Sequence, residues 1–192
     1  MSDRELMDYE PLKEPMAIGQ VFAASGMFPD VKSQAQACVK ILAGKELGLS
    51  AFESMASIYI VNGKLALTSK AMSGLIKKSK VYDYLIKKLD DTECTIAIMK
   101  GEVEIGQSSF TIKDAAKAGL VNKDVWKSYP KNMLFSRAIS NAARFYCPEA
   151  ISGYYAVEEL EDLGEVVSPV KTAVSVSIPI EEAEVINGGK KA

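Results

Sequence analysis

The sequence predicts an α+β protein with a small antiparallel sheet, a β-hairpin plus a three-stranded meander, packed with helices. Three observations carry this reading. In Ile58-Tyr-Ile-Val-Asn62-Gly63-Lys-Leu-Ala-Leu67 two β-prone runs flank Asn-Gly, the preferred pair for a two-residue type I′ turn. Three further β-like runs, Tyr82–Leu89, Thr92–Lys100 and Glu102–Thr111, follow one another across the turn-forming pairs Asp90-Asp91 and Lys100-Gly101. Apolar residues recur at helical spacing before and after them.

Residues 1–14 are polar and read as an N-terminal arm. Pro15 suits a first helical turn, which predicts a helix over 15–27 with Met16, Ile18, Val21, Phe22 and Met27 as its apolar positions. Ser33 is placed to cap a second helix that runs through Leu47 and ends at Gly48. Ser50–Ala56 reads as another turn or two, and Thr68 or Ser69 caps a helix over Ser69–Lys78. After the meander, Thr111–Ala118 forms a short helix stopped by Gly119, and a longer one runs from Pro130 to Tyr146 and stops at Pro148. Tyr154–Leu163 is expected to be a further short helix. The folded domain is thus placed at 15–163, with 164–192 as an acidic, flexible C-terminal tail.

Several chemistries lack their residues. Histidine is absent, which removes Ser–His–Asp and Cys–His catalysis and His-ligated zinc. Cys38, Cys94 and Cys147 are far apart and odd in number, which suits core thiols in a reducing, cytoplasmic setting. No signal-peptide pattern and no membrane-spanning apolar run is expected. Gly44-Lys45 is followed by Glu46 rather than Ser or Thr, so no phosphate loop is formed, and no GxGxxG follows a strand.

The 23 basic and 25 acidic side chains leave a net charge of −2, which argues against a nucleic-acid partner. Divided along the chain, the balance reads otherwise: −3 over 1–63, +7 over 64–144 and −6 over 145–192. A basic body between acidic ends suits a polyanion ligand, with the acidic tail as a competitor for the same groove.

The richest stretch is Val125-Trp126-Lys127-Ser128-Tyr129-Pro130-Lys131-Asn132 and the helix that follows. Arg137, Asn141 and Arg144 lie at i, i+4 and i+7, forming one polar stripe, with Leu134, Ala138, Ile139, Ala142 and Phe145 on the other side. Trp126 and Tyr129 supply flat faces among Lys127 and Lys131, the pattern that single-stranded nucleic acid requires: cations for phosphates, rings for bases. The competing reading makes both rings core and pairs the arginines in salt bridges. Lys70, Lys77, Lys78 and Lys80 form a second basic cluster, and Lys87, Lys88, Lys113, Lys117 and Lys123 add charge nearby in sequence. An alternative function, a metal-dependent nuclease, would need Asp90, Asp91, Glu102 and Glu104 to converge. A non-catalytic scaffold is the third possibility.

Four passages resemble the RecT/Redβ family of phage single-strand annealing proteins: Gly44–Ser50 leading into Ser57–Leu67; Lys70–Ile76; Phe110–Leu120; and Trp126–Leu134 with Arg137-Ala138, Arg144, Pro148 and Gly153-Tyr154. The resemblance implies an ATP-independent protein, not an enzyme in the covalent sense, that binds single-stranded DNA and anneals complementary strands through a duplex intermediate. It implies homo-oligomers, as rings or helical filaments, in a bacterial host cell, and DNA contacts at Trp126, Lys127, Lys131, Asn132, Arg137, Arg144, Lys70, Lys77 and Lys78. No cofactor is expected; Mg2+ enters only as a modulator of DNA binding. A phage exonuclease or host single-strand binding protein is the expected companion, although the short tail departs from the family's longer C-terminal region.

Overall fold

Side-chain caps start four of the helices, as their sequences require. In the computed structural model, which describes residues 10–162, the helices are α1 (Glu10–Ser25), α2 (Gln34–Glu46), α3 (Ala51–Ser57), α4 (Ser69–Lys78), α5 (Ile112–Lys117), α6 (Asp124–Ser128), α7 (Pro130–Tyr146) and α8 (Val157–Asp162). Ser33, Ser50, Thr68 and Thr111 each accept a backbone N–H of the helix they precede. Glu53 and Asp114 return the bond in capping boxes. Pro130 opens α7 where no intrahelical N–H is needed. A 3-10 turn, Pro148–Ile151, follows α7.

The strands are β1 (Ile58–Val61), β2 (Lys64–Leu67), β3 (Tyr82–Leu89), β4 (Glu93–Lys100), β5 (Val103–Thr111) and β6 (Tyr155–Ala156). Asn62 and Gly63 both take positive φ, at 51° and 75°, as a type I′ turn demands. The described residues are α+β, but they hold two three-stranded sheets rather than one. β1-β2-β6 is the first, with β2 and β6 parallel, and the antiparallel meander β3-β4-β5 is the second. Helix α4 separates them, carrying the chain away from the hairpin before β3 begins.

Other boundaries also move. α1 begins at Glu10, so the expected arm at 1–14 is helical over 10–14; Pro15 lies inside the helix, and its missing N–H forgoes only a bond to the carbonyl of Pro11, still in the opening turns. The expected helix at Tyr154–Leu163 opens with two residues of strand that pair with Ala66 and Leu67. α6 and the 3-10 turn have no counterpart in the sequence-based assignment. The arm's residues 1–9 and the tail at 164–192 lie outside the described residues.

The main core lies between the meander and α7. Cys94, Ile96 and Ile98 of β4 face Leu134, Ala138, Ile139 and Ala142, all fully buried. Gly106 on β5 permits this approach, because a Cβ there would lie 2.1 Å from the Tyr146 ring. A second core joins α1–α3 through Val31, Ala37, Ile41 and Met55. It is tied to the hairpin by a residue the sequence did not nominate. The Lys40 side chain is 0% exposed; its Nζ lies 2.8 Å from Asp30 Oδ2 and over the rings of Phe28 and Tyr59, at 5.7 and 5.3 Å. The same Asp30 oxygen accepts the Ile60 N–H at 3.0 Å, which satisfies a backbone donor on β1. Burial pushes the Lys40 ammonium below its ordinary pKa, and Asp30 opposes that shift.

Among the described residues no helix is long and apolar enough to cross a membrane. Asp30→Ala, which strands a buried ammonium, is expected to cost about 3–5 kcal/mol in urea unfolding, with Lys40→Met plus Asp30→Asn recovering much of the loss. An unchanged midpoint in the single variant would show that Lys40 is not held this way.

Candidate nucleic-acid interface

Two lysine groups occupy opposite ends of the meander, about 24 Å apart along β4 at ~3.4 Å per residue. At the first end, α5, α6 and the start of α7 gather Lys113, Lys117, Lys123, Lys127 and Lys131 near the β3–β4 turn. All five are exposed. Lys117 and Lys127 pair only with exposed acids on their own helices, Asp114 at 4.0 Å and Asp124 at 3.9 Å, and Lys131 reaches Asp91 at 3.9 Å. Pairs this long and this solvated contribute little and exchange readily for another anion. Tyr129, 64% exposed at the α6–α7 junction, and the exposed Asn132 lie among them.

At the second end, Lys77 and Lys80 line a shallow cleft with Tyr82, Asp83 and Gly101. Lys77 pairs with Asp83 at 2.5 Å and lies 4.7 Å over the Tyr84 ring. Lys78 donates to the Gly48 carbonyl at 2.6 Å, and Lys100 sits 5.8 Å over the Tyr82 ring, whose hydroxyl bonds Glu149. Lys70 is exposed at the opposite end of α4, next to Ser69, whose hydroxyl bonds Ser136 of α7, and belongs to neither group. The structure therefore divides the sequence's lysines into two groups and does not bring them into one groove.

Three nominated residues sit differently from expectation. Trp126 is 2% exposed and packs with Phe110 in the main core, so it offers no ring face to a base. Arg137 and Arg144 are not on an open stripe, because α8 covers them. Arg144 Nη2 lies 3.1 Å from Glu159 Oε1 and 2.8 Å from Asn141 Oδ1, and Arg137 Nη1 lies 4.0 Å from the same Glu159 oxygen. The Ser140 hydroxyl donates to that oxygen as well, at 2.7 Å. On the opposite side, Leu134, Ala138, Ile139 and Ala142 are buried as expected, but Phe145 is 65% exposed.

The acidic charge also belongs elsewhere. Five of the nine acids in 145–192 lie at 149–162, with no base among them, whereas 163–192 holds four glutamates against three lysines. The acidic element is α8 and its approach, not the tail.

The carboxylates a nuclease would need are separated as well. Asp90 and Asp91 occupy the β3–β4 turn, whereas Glu102 lies in the β4–β5 turn and Glu104 at the start of β5, at the sheet's far end. Glu104 pairs with Lys87 at 2.6 Å across the sheet. Asp90 caps its own turn: the Thr92 hydroxyl and amide and the Glu93 amide all donate to Oδ1, holding the carboxyl down at about 2. No group of three or more Cys, Asp or Glu that could hold a metal occurs among the described residues.

No protein-family model, no curated protein and no solved structure matches the chain.

Trp126 is the only tryptophan, so its fluorescence reports this position alone. Emission is expected to be blue-shifted and poorly quenched by acrylamide, with Trp126→Ala costing about 3–5 kcal/mol of stability; strong quenching would place the ring at the surface. Asp90, whose folded pKa of about 2 lies below its ordinary 3.8, adds stability that is present above about pH 4 and lost as pH falls toward 2. Melting temperatures of Asp90→Asn should therefore fall less than wild type between those pH values, and parallel curves would remove Asp90 from the acid limb.

Proposed function

We propose that the protein binds single-stranded DNA and anneals complementary strands without ATP, as a homo-oligomeric ring or filament with a RecT/Redβ-like annealing fold. The observation that carries this reading is that Lys113, Lys117, Lys123, Lys127 and Lys131, on α5, α6 and the start of α7, are all exposed, as are the Tyr129 ring and Asn132 on the same stretch, with Lys131 reaching Asp91 of the β3–β4 turn. The α+β order, hairpin before meander before a long helix, is compatible with that fold.

The mechanism is electrostatic rather than covalent. Each lysine that meets a phosphate releases condensed counterions, and the exposed aspartates beside Lys117, Lys127 and Lys131 are weak competitors. Neutralised backbones repel one another less, so two strands can lie close enough to sample pairing. Tyr129 gives a base a flat surface at no cost in sequence preference. Once register is found, base pairing supplies about 1.4 kcal/mol per step and no nucleotide need be consumed. Lys77, Lys80 and Lys100 at the far end form a second anion-attracting surface, suited to the same strand farther along or to a second one. A phage exonuclease or a host single-strand binding protein is the companion that fits this role.

Complementary oligonucleotides should anneal faster with the protein than without it at low salt, and the gain should vanish as salt rises. Lys127→Gln and Lys131→Gln should each flatten the salt dependence of binding by about 0.7 in log–log slope. Tyr129→Ala should cost about 1–3 kcal/mol of affinity without changing that slope. Absence of any acceleration at low salt would overturn the function.

A further inference from the structure

Helix α8 is a six-residue acidic element laid over a basic stripe. From α7, Arg137, Ser140, Asn141 and Arg144 present two guanidiniums, a hydroxyl and an amide to one side. Into that set α8 inserts Glu159, 5% exposed, whose Oε1 takes contacts from Ser140, Arg144 and Arg137. Guanidiniums and a hydroxyl converging on one anionic oxygen form the arrangement by which proteins hold a phosphodiester. The seam is incompletely satisfied: Arg144 Nε, Glu158 Oε2 and Glu159 Oε2 are buried without a hydrogen-bond partner among the described residues. Such groups cost free energy that opening to solvent would return. Beside the seam, the Arg144 guanidinium lies 4.9 Å over the half-exposed ring of Tyr155. Besides the Glu159 contacts, α8 is held by Val157 and Leu160, which pack on Ala66, Tyr59 and Val61 of the hairpin, and by Glu158 Oε1, which accepts the Ser69 hydroxyl at 2.8 Å.

We infer that Arg137, Asn141 and Arg144 form a second phosphodiester site, closed in this conformation by Glu159 as an internal anion, and that α8 is a strap which nucleic acid displaces. This rests on the reading of the protein as a single-strand binder and adds to it a site that opens only when the strap lifts. The lysine end captures the strand first, and arginine contacts follow as α8 leaves. Displacement exchanges one carboxylate for a phosphate and frees the acidic residues of 158–162 to move away from the backbone they would repel.

The test compares the full-length protein with Glu159→Gln, which keeps the shape of the side chain and its acceptor oxygen but removes the charge. Binding to oligo(dT) at low salt should tighten about tenfold, and the log–log salt slope should steepen by about 0.7 for each arginine that gains a phosphate. Adding Arg144→Gln to that variant should abolish most of the gain, while Arg144→Gln alone changes binding little. A readout on the wild type guards against a variant that folds poorly: on adding saturating oligo(dT), α8 amides should lose hydrogen-exchange protection while α7 keeps its own. If the wild type binds and Glu159→Gln matches it in affinity and slope, or if α8 becomes more protected, the strap is refuted and the lysine interface stands. If neither protein binds, both readings fall together.

Discussion

Helix α7 is enclosed by the rest of the chain, and this enclosure sets the terms for everything around it. The meander covers one side, α4 and the 3-10 turn lie along it, and β6 and α8 close the other. A helix enclosed in this way must be apolar toward the sheet and must satisfy its polar groups elsewhere. Leu134, Ala138, Ile139 and Ala142 meet the first requirement. Small hydroxyls meet the second: Ser136 shares a hydrogen bond with Ser69 at 2.9 Å, and Ser140 donates to Glu159. The arginines of the same helix require a buried counter-charge, and α8 provides it. Only Lys131, Asn132 and Phe145 of α7 remain exposed, all near its ends. The surfaces open to a ligand are therefore displaced to the two ends of the sheet.

This explains which features could be read from the sequence. Caps and tight turns are local: Thr68, Thr111 and Asn62-Gly63 act on residues within four positions, so the hairpin, α4 and α5 are legible almost residue by residue, and Pro130 marks the start of α7 in the same way. The meander followed from alternation, which is local too. What failed was what only distance in space decides. Tyr155-Ala156 has no strand pattern of its own and becomes β6 because β2 offers an open edge. Trp126 is adjacent to Lys127 in sequence and yet faces inward, as a large ring does when a neighbouring core can take it. Lys40 carries no sign in its periodicity that Asp30 will meet it; an isolated lysine among the buried positions of α2 is the one signal available.

Charge shows the same division. The lysines of 64–144 lie at the surface, unlike the buried Lys40, whereas the arginines of α7 are drawn into a network with Glu159, as their forked geometry favours. The basic body inferred from segment charges holds for the lysines alone. The acidic end is likewise resolved into a folded helix, which changes it from a solvated appendage into a partner of α7.

The parallel pairing of β2 with β6 also has a consequence in time. Leu67 pairs with Ala156, 89 positions later. Closing so long a loop costs chain entropy that short-range contacts do not meet, about 4 kcal/mol on a logarithmic scale before any constant is added. The hairpin and the meander can form as soon as they leave the ribosome, since their partners are a few residues away. The first sheet cannot be completed until Tyr155 and Ala156 emerge, with α8 directly behind them. Through that interval the nascent chain carries α7 with Arg137 and Arg144 uncovered, two guanidiniums in a ribosome-rich environment, until α8 arrives to seal them.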